Sequence, residues 1–265
     1  RGNALQELGR IDEAVASYDH AILLRPDFAD AFNNRGIALK KLNRVEEAID
    51  AYDRAILIKP DFADAFNNRG IALQQLSRVD EAIDSYDRAI RIRPDFADAF
   101  NNRGVALRET LRVDKAIDSY DQAIRIKPDH DEARFSKSLA LLLRGEFETG
   151  WNLFEERWNT KLLSSAKRAY RQPLWLGKEP IAGKTILLHS EQGLGDTIQF
   201  CRYARLVAGL GALVVLEADP SLTSLLGTLE GVGQLVPRGR ELPPFDYHCP
   251  LMSLPLAFGT TLETI

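Results

Sequence analysis

Residues Ala31–Asp64 and Ala65–Asp98 are nearly the same sequence, with 27 of 34 positions identical. The seven differences are Lys40/Gln74, Lys41/Gln75, Asn43/Ser77, Glu46/Asp80, Ala51/Ser85, Leu57/Arg91 and Lys59/Arg93. A unit that recurs every 34 residues is one supersecondary element, too small to bury its own apolar face. It must stack on its copies, so this part of the chain can only be a quasi-one-dimensional array. Apolar and small residues fall at helical intervals within each copy, which predicts two helices per unit.

The positions that recur have a packing logic. Phe32, Gly36, Leu39, Ala48, Tyr52, Ala55 and Pro60 return as Phe66, Gly70, Leu73, Ala82, Tyr86, Ala89 and Pro94, then as Phe100, Gly104, Leu107, Ala116, Tyr120, Ala123 and Pro128. Gly2, Leu5, Ala14, Tyr18, Ala21 and Pro26 keep the same register at the start. Gly36 and Ala48 are small enough for two helices to approach closely, and Leu39, Tyr52 and Ile56 fill the space between them. Pro60 ends the second helix because it has no amide donor. These residues resemble the tetratricopeptide repeat family, which implies an all-α solenoid with the first helix of each repeat lining a groove. The family's usual apolar residue before the glycine is replaced by Arg1, Arg35, Arg69 and Arg103. Such a ladder reads as solvated or ion-paired, for example Arg69 with Asp64.

The groove implied by that resemblance carries Asn33, Asn34, Asn67, Asn68, Asn101 and Asn102, with Ile37 and Lys40/Lys41 on the same helical face. Side-chain amides can donate to and accept from an extended peptide backbone, so a protein or peptide is the expected partner. A bridging role between neighbouring repeats is the structural alternative.

Charge density marks a boundary. Residues 1–170 hold 27 basic and 29 acidic side chains, whereas 171–265 hold 7 and 9, so a surface-rich solenoid gives way to a thicker core. Between them Ala133–Trp158 still reads as a helical hairpin, with Gly150 and Arg157 replacing two alanines. It is expected to cap the array and dock its aromatic residues on the next domain. Every charge from Arg157 to Lys178 is basic, which suggests a solvated linker. The expected division is therefore a superhelix at 1–158 (four repeats and a degenerate cap), a linker at 159–183, and an α/β domain at 184–265.

Net charge of −4 argues against nucleic acid as the main partner. Cys201 and Cys249 lack metal-like spacing and suggest reduced, buried thiols in a cytoplasmic protein. No run is long and apolar enough for a membrane span. Arg1 falls inside a repeat helix, so the sequence opens on a cut edge and leaves an upstream export signal open.

In the second half, Lys184–Ser190, Ala212–Glu217, Val232–Val236 and Phe245–Cys249 read as buried strands, with helical patterns after Gly195 and over Pro220–Leu229. This alternation predicts a Rossmann-like, doubly wound α/β layer whose ligands bind at the carboxyl ends of strands. A phosphate-binding loop at Gly177…Gly183-Lys184-Thr185 is excluded, because five residues separate the glycines and the motif precedes its strand. Gly193-x-Gly195 lacks the third glycine of a dinucleotide fingerprint.

The phrase His189–Phe200 (HSEQGLGDTIQF), with Phe245–Leu256 (FDYHCPLMSLPL), resembles the acceptor-side domain of heptosyltransferase-like GT-B glycosyltransferases. The resemblance covers roughly residues 185–265. It implies an inverting, metal-independent enzyme that takes its sugar from a nucleotide sugar and passes it to a glycan or protein acceptor. It also implies Asp196 as catalytic base, with Glu191, Gly193, Gly195 and His248 at the substrate. Chemically, sugar transfer needs a base for the attacking alcohol and positive dipoles for the departing phosphate. Asp196 before Thr197 also reads as a helix N-cap, and structural roles for His189, Glu191 and His248 stay open. Repeats fused to such a domain look like the O-GlcNAc transferase arrangement, with Asn34, Asn68 and Asn102 on its asparagine ladder. GT-B enzymes hold the donor mainly in a carboxyl-terminal domain, so residues 1–265 alone are expected to neither bind a sugar nucleotide tightly nor turn over. The alternative is a non-catalytic interaction scaffold.

Overall fold

A computed structural model describes residues 1–264. They form two compact units, residues 1–140 and 141–264.

The first unit is built from α1 (Gly2–Glu7), α2 (Ile11–Leu24), α3 (Ala29–Lys41), α4 (Val45–Ile58), α5 (Ala63–Gln75), α6 (Val79–Ile92), α7 (Ala97–Glu109) and α8 (Val113–Ile126), followed by α9 (Asp131–Arg144). From α1 through α8 each helix packs on the next in sequence, as a stacked array requires, and Ala133 of α9 packs with Phe100 and Ala123. The glycine of each first helix is there for contact. A Cβ on Gly36, Gly70 or Gly104 would lie 2.5 Å from the ring of Tyr52, Tyr86 or Tyr120. The tyrosines are fully buried in return.

Turns recur with the same 34-residue period. Gly9, Asn43, Ser77, Leu111 and Gly145 all have positive φ, the left-handed residue that ends a helix. At Asn43 the flanking amides close the motif, with Asn43 N donating to Lys40 O and Arg44 N to Leu39 O. Glycine fits this conformation at Gly9 and Gly145, and Leu111 adopts it at a steric cost.

The arginine ladder is ion-paired with partners other than the expected one. Arg35, Arg69 and Arg103 reach back one helix to Asp19, Asp53 and Asp87 at 2.6–2.8 Å, and Lys137 pairs with Asp121. Arg69 and Arg103 also donate to Ser85 and Ser119. Asp64 instead accepts both guanidinium nitrogens of Arg93, because Arg69 is turned toward the preceding helix.

The second unit contains α10 (Phe147–Phe154) and a four-stranded sheet. Its strands are β1 (Thr185–His189), β2 (Leu213–Ala218), β3 (Gln234–Pro237) and β4 (Tyr247–Pro250), ordered β3-β2-β1-β4 and all parallel. The connecting helices are α11 (Leu194–Phe200), α12 (Tyr203–Gly209) and α13 (Thr223–Leu226), with α14 (Leu254–Ala257) after β4. The helix expected over Pro220–Leu229 shrinks to one 3₁₀ turn plus α13.

Phe200, Tyr203, Val207, Leu226 and Leu254 pack on Ile186, Leu188, Val214 and Leu216, so the helices cover one sheet face. The opposite face, Leu187, Val215 and Val236, is covered by Tyr170, Leu242 and Phe245. The expected doubly wound layer, with helices on both faces, is corrected: this is a small parallel sheet with helices on one side and extended segments on the other, because the chain between β3 and β4 forms no helix. Residues expected as a solvated linker belong to this core. Trp175 and Ile181 are buried, Leu174 bridges His248 alongside β4, and Arg157 has no exposed side-chain surface. No helix of the described residues is long and apolar enough to cross a membrane.

Candidate functional site

On the repeats, the first helices α1, α3, α5 and α7 bring their asparagines together. Asn68 Nδ2 donates to Asn33 Oδ1 and Asn102 Nδ2 to Asn67 Oδ1, each at 3.0 Å, while Asn34 Nδ2 reaches Asn3 Oδ1 at 3.4 Å. Asn33 and Asn67 are buried and hold these bridges, so they act between repeats as the structural alternative required. Asn34, Asn68 and Asn102 are half-buried. The Oδ1 atoms of Asn68 and Asn102 have no hydrogen-bond partner among the described residues, and Asn101 Oδ1 is buried and unpaired. Asn34 and Lys41 line one cavity of about 280 Å³ with Asn3, Gln6 and Glu7, so successive first helices share a surface.

In the second unit, the sheet order reverses between β1 and β4, and the crevice outside those strands' carboxyl ends is where ligands bind in open α/β sheets. That place is occupied from within. Arg157 donates to both carboxylate oxygens of Glu191 at 3.1 Å, to Ser253 Oγ at 2.7 Å, to Glu155 at 2.7 Å and to the Phe154 carbonyl. Phe154 and Trp158 hold their rings 4.6 and 4.4 Å from the guanidinium carbon, within cation–π range. Burial pushes the Glu191 carboxyl up to about 7 despite the pull of Arg157. Glu191 therefore faces inward, and its side chain is 2% exposed.

His189 and His248 meet on the helix-free face of the sheet. His189 Nε2 and His248 Nδ1 are 3.2 Å apart, and Tyr170 lies against both rings. Burial, reinforced by His248 and nearby arginines, depresses His189 to about 3, and burial lowers His248 too, so both are neutral near pH 7. Arg168 spans Tyr170 and Glu217, and Arg238 donates to the Ser190 carbonyl and hydroxyl. These residues close the carboxyl ends of β1, β2 and β3.

Gly193, Gly195 and Asp196 are apart from both networks. Gly193 is the N-cap residue of α11, with extended backbone, and Asp196 lies in the first turn. The expectation that Asp196 caps this helix is corrected: its carboxylate makes no capping hydrogen bond, because the helix begins two residues earlier. Asp196 is partly exposed, and Gly193 and Gly195 are exposed. Residues absent from the sequence-derived site are Arg157, Arg168, Tyr170, Arg238 and Ser253. The all-basic run from Arg157 to Lys178 spans three of them, Arg157, Arg168 and Tyr170, and its length without acidic neighbours signalled distant carboxylate partners.

Tetratricopeptide repeat models match residues 29–62, 67–131 and 106–149, and a TPR repeat model matches 2–43. Solved structures agree in fold. MamA is 23% identical, with a TM-score of 0.55 over 63% of this chain and 97% of MamA. YrrB, described as a TPR protein with an unusual peptide-binding site, is 20% identical, with a TM-score of 0.51 over 61% of this chain and 83% of that one. Pseudomonas aeruginosa PilF is 18% identical, with a TM-score of 0.55 over 58% and 71%. No match was found among curated proteins. Residues 2–149 form a tetratricopeptide repeat array.

Proposed function

We propose that this tetratricopeptide repeat array binds an extended peptide segment of a partner protein along the face shared by α1, α3, α5 and α7. The observation that carries this reading is the orientation of Asn68 and Asn102. Each spends an amide proton on the preceding repeat, which fixes the amide plane, and each keeps Oδ1 unpaired on the common surface. Acceptors fixed in advance at one-repeat intervals suit backbone N–H groups of an extended chain and ask little of its side chains. YrrB, similar in fold, is described as binding peptide, which accords with this use. Two free, buried cysteines fit a reducing compartment such as the cytoplasm.

The test is selection from a random peptide display library, repeated with Asn68→Ala/Asn102→Ala. Enriched peptides that bind the native protein and lose at least tenfold affinity on the variant, at unchanged helix content, support the groove. Failure to enrich any peptide, or equal binding by the variant, overturns it.

A second reading, sugar transfer in a longer protein, is favoured by one observation. An exposed glycine loop leads from β1 into a helix whose first turn holds a partly exposed Asp196, beside the point where strand order reverses. Asp196 would then take the proton of an acceptor hydroxyl, with Gly193 and Gly195 allowing close approach, and the donor would be a nucleotide sugar. Glu191 and His248, expected at the substrate, would act from behind the surface by holding the loop and the β4 end. Transfer of label from a panel of nucleotide sugars to a glycan or protein acceptor, by protein extending beyond residue 265, tests it. Equal transfer by Asp196→Asn would remove the base role.

A further inference from the structure

The polar cluster at the carboxyl ends of β1, β2 and β3 holds more donors than acceptors. Glu217 is the register partner of His189 in the parallel pair β1–β2, and Ser190 N donates to the Glu217 carbonyl at 3.3 Å. Arg168 holds the Glu217 carboxylate and the Tyr170 hydroxyl through Nη1 alone. Arg238, anchored by its backbone N–H to the Ala218 carbonyl, holds Ser190 O and, at 3.1 Å, Ser190 Oγ through Nη2 alone. Two guanidiniums are thus bonded to the immediate neighbours of His189, one across the strand pair and one at the next residue. Their remaining nitrogens make no hydrogen bond or ion pair among the described residues. Arg238 is exposed and Arg168 half-buried, so solvent reaches the cluster from their side. His189 is 3% exposed, and its Nδ1 is buried without a hydrogen-bond partner. The two nitrogens of an imidazole ring point away from each other. Nε2 meets His248 of β4 on one side of β1, so Nδ1 is turned to the other side, toward β2 and Glu217. Neither nearby guanidinium donates to Nδ1, which assigns it a proton and makes it a further donor, with His248 Nδ1–H donating to Nε2.

We propose that Arg168, Arg238, Ser190 and His189 form a binding site for a phosphate monoester. The site is independent of the asparagine groove and of Asp196. Three terminal phosphate oxygens point in three directions and suit donors from three separate segments, whereas a carboxylate presents two oxygens in one plane. Both arginines keep two nitrogens free for charge-assisted, bidentate bonds, the geometry in which guanidinium recognises phosphate. Glu217 is the one carboxylate bonded to either guanidinium, and Asp219, near Arg238, is engaged by Ser221. One positive charge therefore stays uncompensated at contact distance. Exposed Lys167 and Arg171 flank Arg168 in the chain, and no acidic residue lies between Arg157 and Lys178, which favours the approach of an anion. Burial, His248 and the arginines 168, 238 and 157 lower the His189 pKa in the free protein. An anion held by two of these arginines offsets their charge and raises it again, which gives the site a spectroscopic signature.

The test titrates the ¹⁵N-labelled 265-residue chain with methyl phosphate, dimethyl phosphate and acetate at constant ionic strength. Its four histidines are followed by long-range ¹H–¹⁵N correlation. Expected is a saturable shift of the His189 Nδ1 signal with methyl phosphate, at an affinity at least about tenfold above that for acetate. The His189 pKa should rise in the bound form. Dimethyl phosphate, which offers two terminal oxygens, should bind more weakly, and equal or tighter binding of the diester overturns the monoester assignment. Arg238→Gln should weaken methyl phosphate by at least about tenfold, at unchanged helix content and urea midpoint. The comparison among anions uses unaltered protein and decides the proposal without the variant. Equal affinity for acetate, a shift that never saturates, or full affinity in Arg238→Gln overturns the site. Finding the His189 proton on Nε2 in the free protein would remove the buried donor and contradict it as well.

Discussion

Arg157 lies with one guanidinium nitrogen 3.1 Å from each carboxylate oxygen of Glu191, both side chains essentially excluded from solvent. One residue comes from the turn after α10 and the other from the loop after β1. Their union ties the last helical hairpin residues to the carboxyl ends of β1 and β4. Trp151 reinforces the tie by donating to the Thr260 carbonyl at 3.1 Å. Removing one partner from a buried pair leaves an uncompensated charge, which costs about 3–5 kcal/mol. Arg157→Met should therefore destabilise the second unit by about that amount at pH 8. The loss should shrink at pH 5.5, where Glu191 can take up a proton. All three tryptophans, Trp151, Trp158 and Trp175, lie in this unit, so urea unfolding followed by tryptophan fluorescence reads it selectively. A loss independent of pH would show that Glu191 is not the group left unpaired.

Gly70→Ala would place its methyl carbon 2.5 Å from the Tyr86 ring. Overpacking of a fixed ring against a helix costs about 1–3 kcal/mol. Far-UV circular dichroism melting should show that loss, and Gly70→Ala/Tyr86→Leu should recover part of it. An unaltered melting temperature for the single variant would mean that the helices separate freely.

Leu111→Gly should stabilise the array by about 0.5–1 kcal/mol. Leu111 holds φ near +58° and its side chain is exposed, so glycine removes a steric cost and forfeits little burial. The same circular dichroism assay tests it, and a lower melting temperature would contradict it.

His189 gives a pH signature. Its folded pKa near 3 lies below the ordinary 6.5, so the unfolded chain binds more protons between those values. Stability contributed through this group is complete above pH 6.5 and falls as pH drops toward 3, by about 1.4 kcal/mol per pH unit. Glu191 runs in the opposite direction from about 4.5 to 7, since its folded pKa is raised. The difference between wild type and His189→Gln isolates the histidine. The variant should gain on wild type as pH falls from 6.5 to 4.5, measured by urea unfolding at each pH. Parallel stability curves would contradict a neutral buried imidazole.

Asp196→Ala should change the stability of the second unit by less than about 0.5 kcal/mol, because the side chain neither caps α11 nor is buried. Asp219, whose carboxylate accepts from Ser221 N at 2.9 Å at the start of a 3₁₀ turn, is the contrasting cap. Its replacement by alanine should cost about 1 kcal/mol. Tryptophan-detected unfolding of both variants decides. A large loss for Asp196→Ala would reveal a structural role and compromise it as a probe of chemistry.

The sequence by itself determined the repeats. Their period, the glycine under each tyrosine, the proline after each second helix and the asparagine rows are local or nearest-neighbour facts, and a stacked array contains little else. It also located four strands to within about two residues, since a strand covered on both faces, as β1 and β2 are, must be continuously apolar. What only the tertiary structure decided depends on distant partners. Arg69 turns to Asp53 and leaves Asp64 to Arg93, because a long side chain can reach either neighbouring helix and spacing alone does not choose. Arg157 and Glu191, 34 residues apart, become one buried pair, whereas the sequence offered a solvated basic run and a substrate ligand. Asp196 moves from the cap into the first turn because Gly193 starts the helix in extended backbone. Burial sets the charge state of His189, and it arises where segments far apart in the chain close over one sheet face.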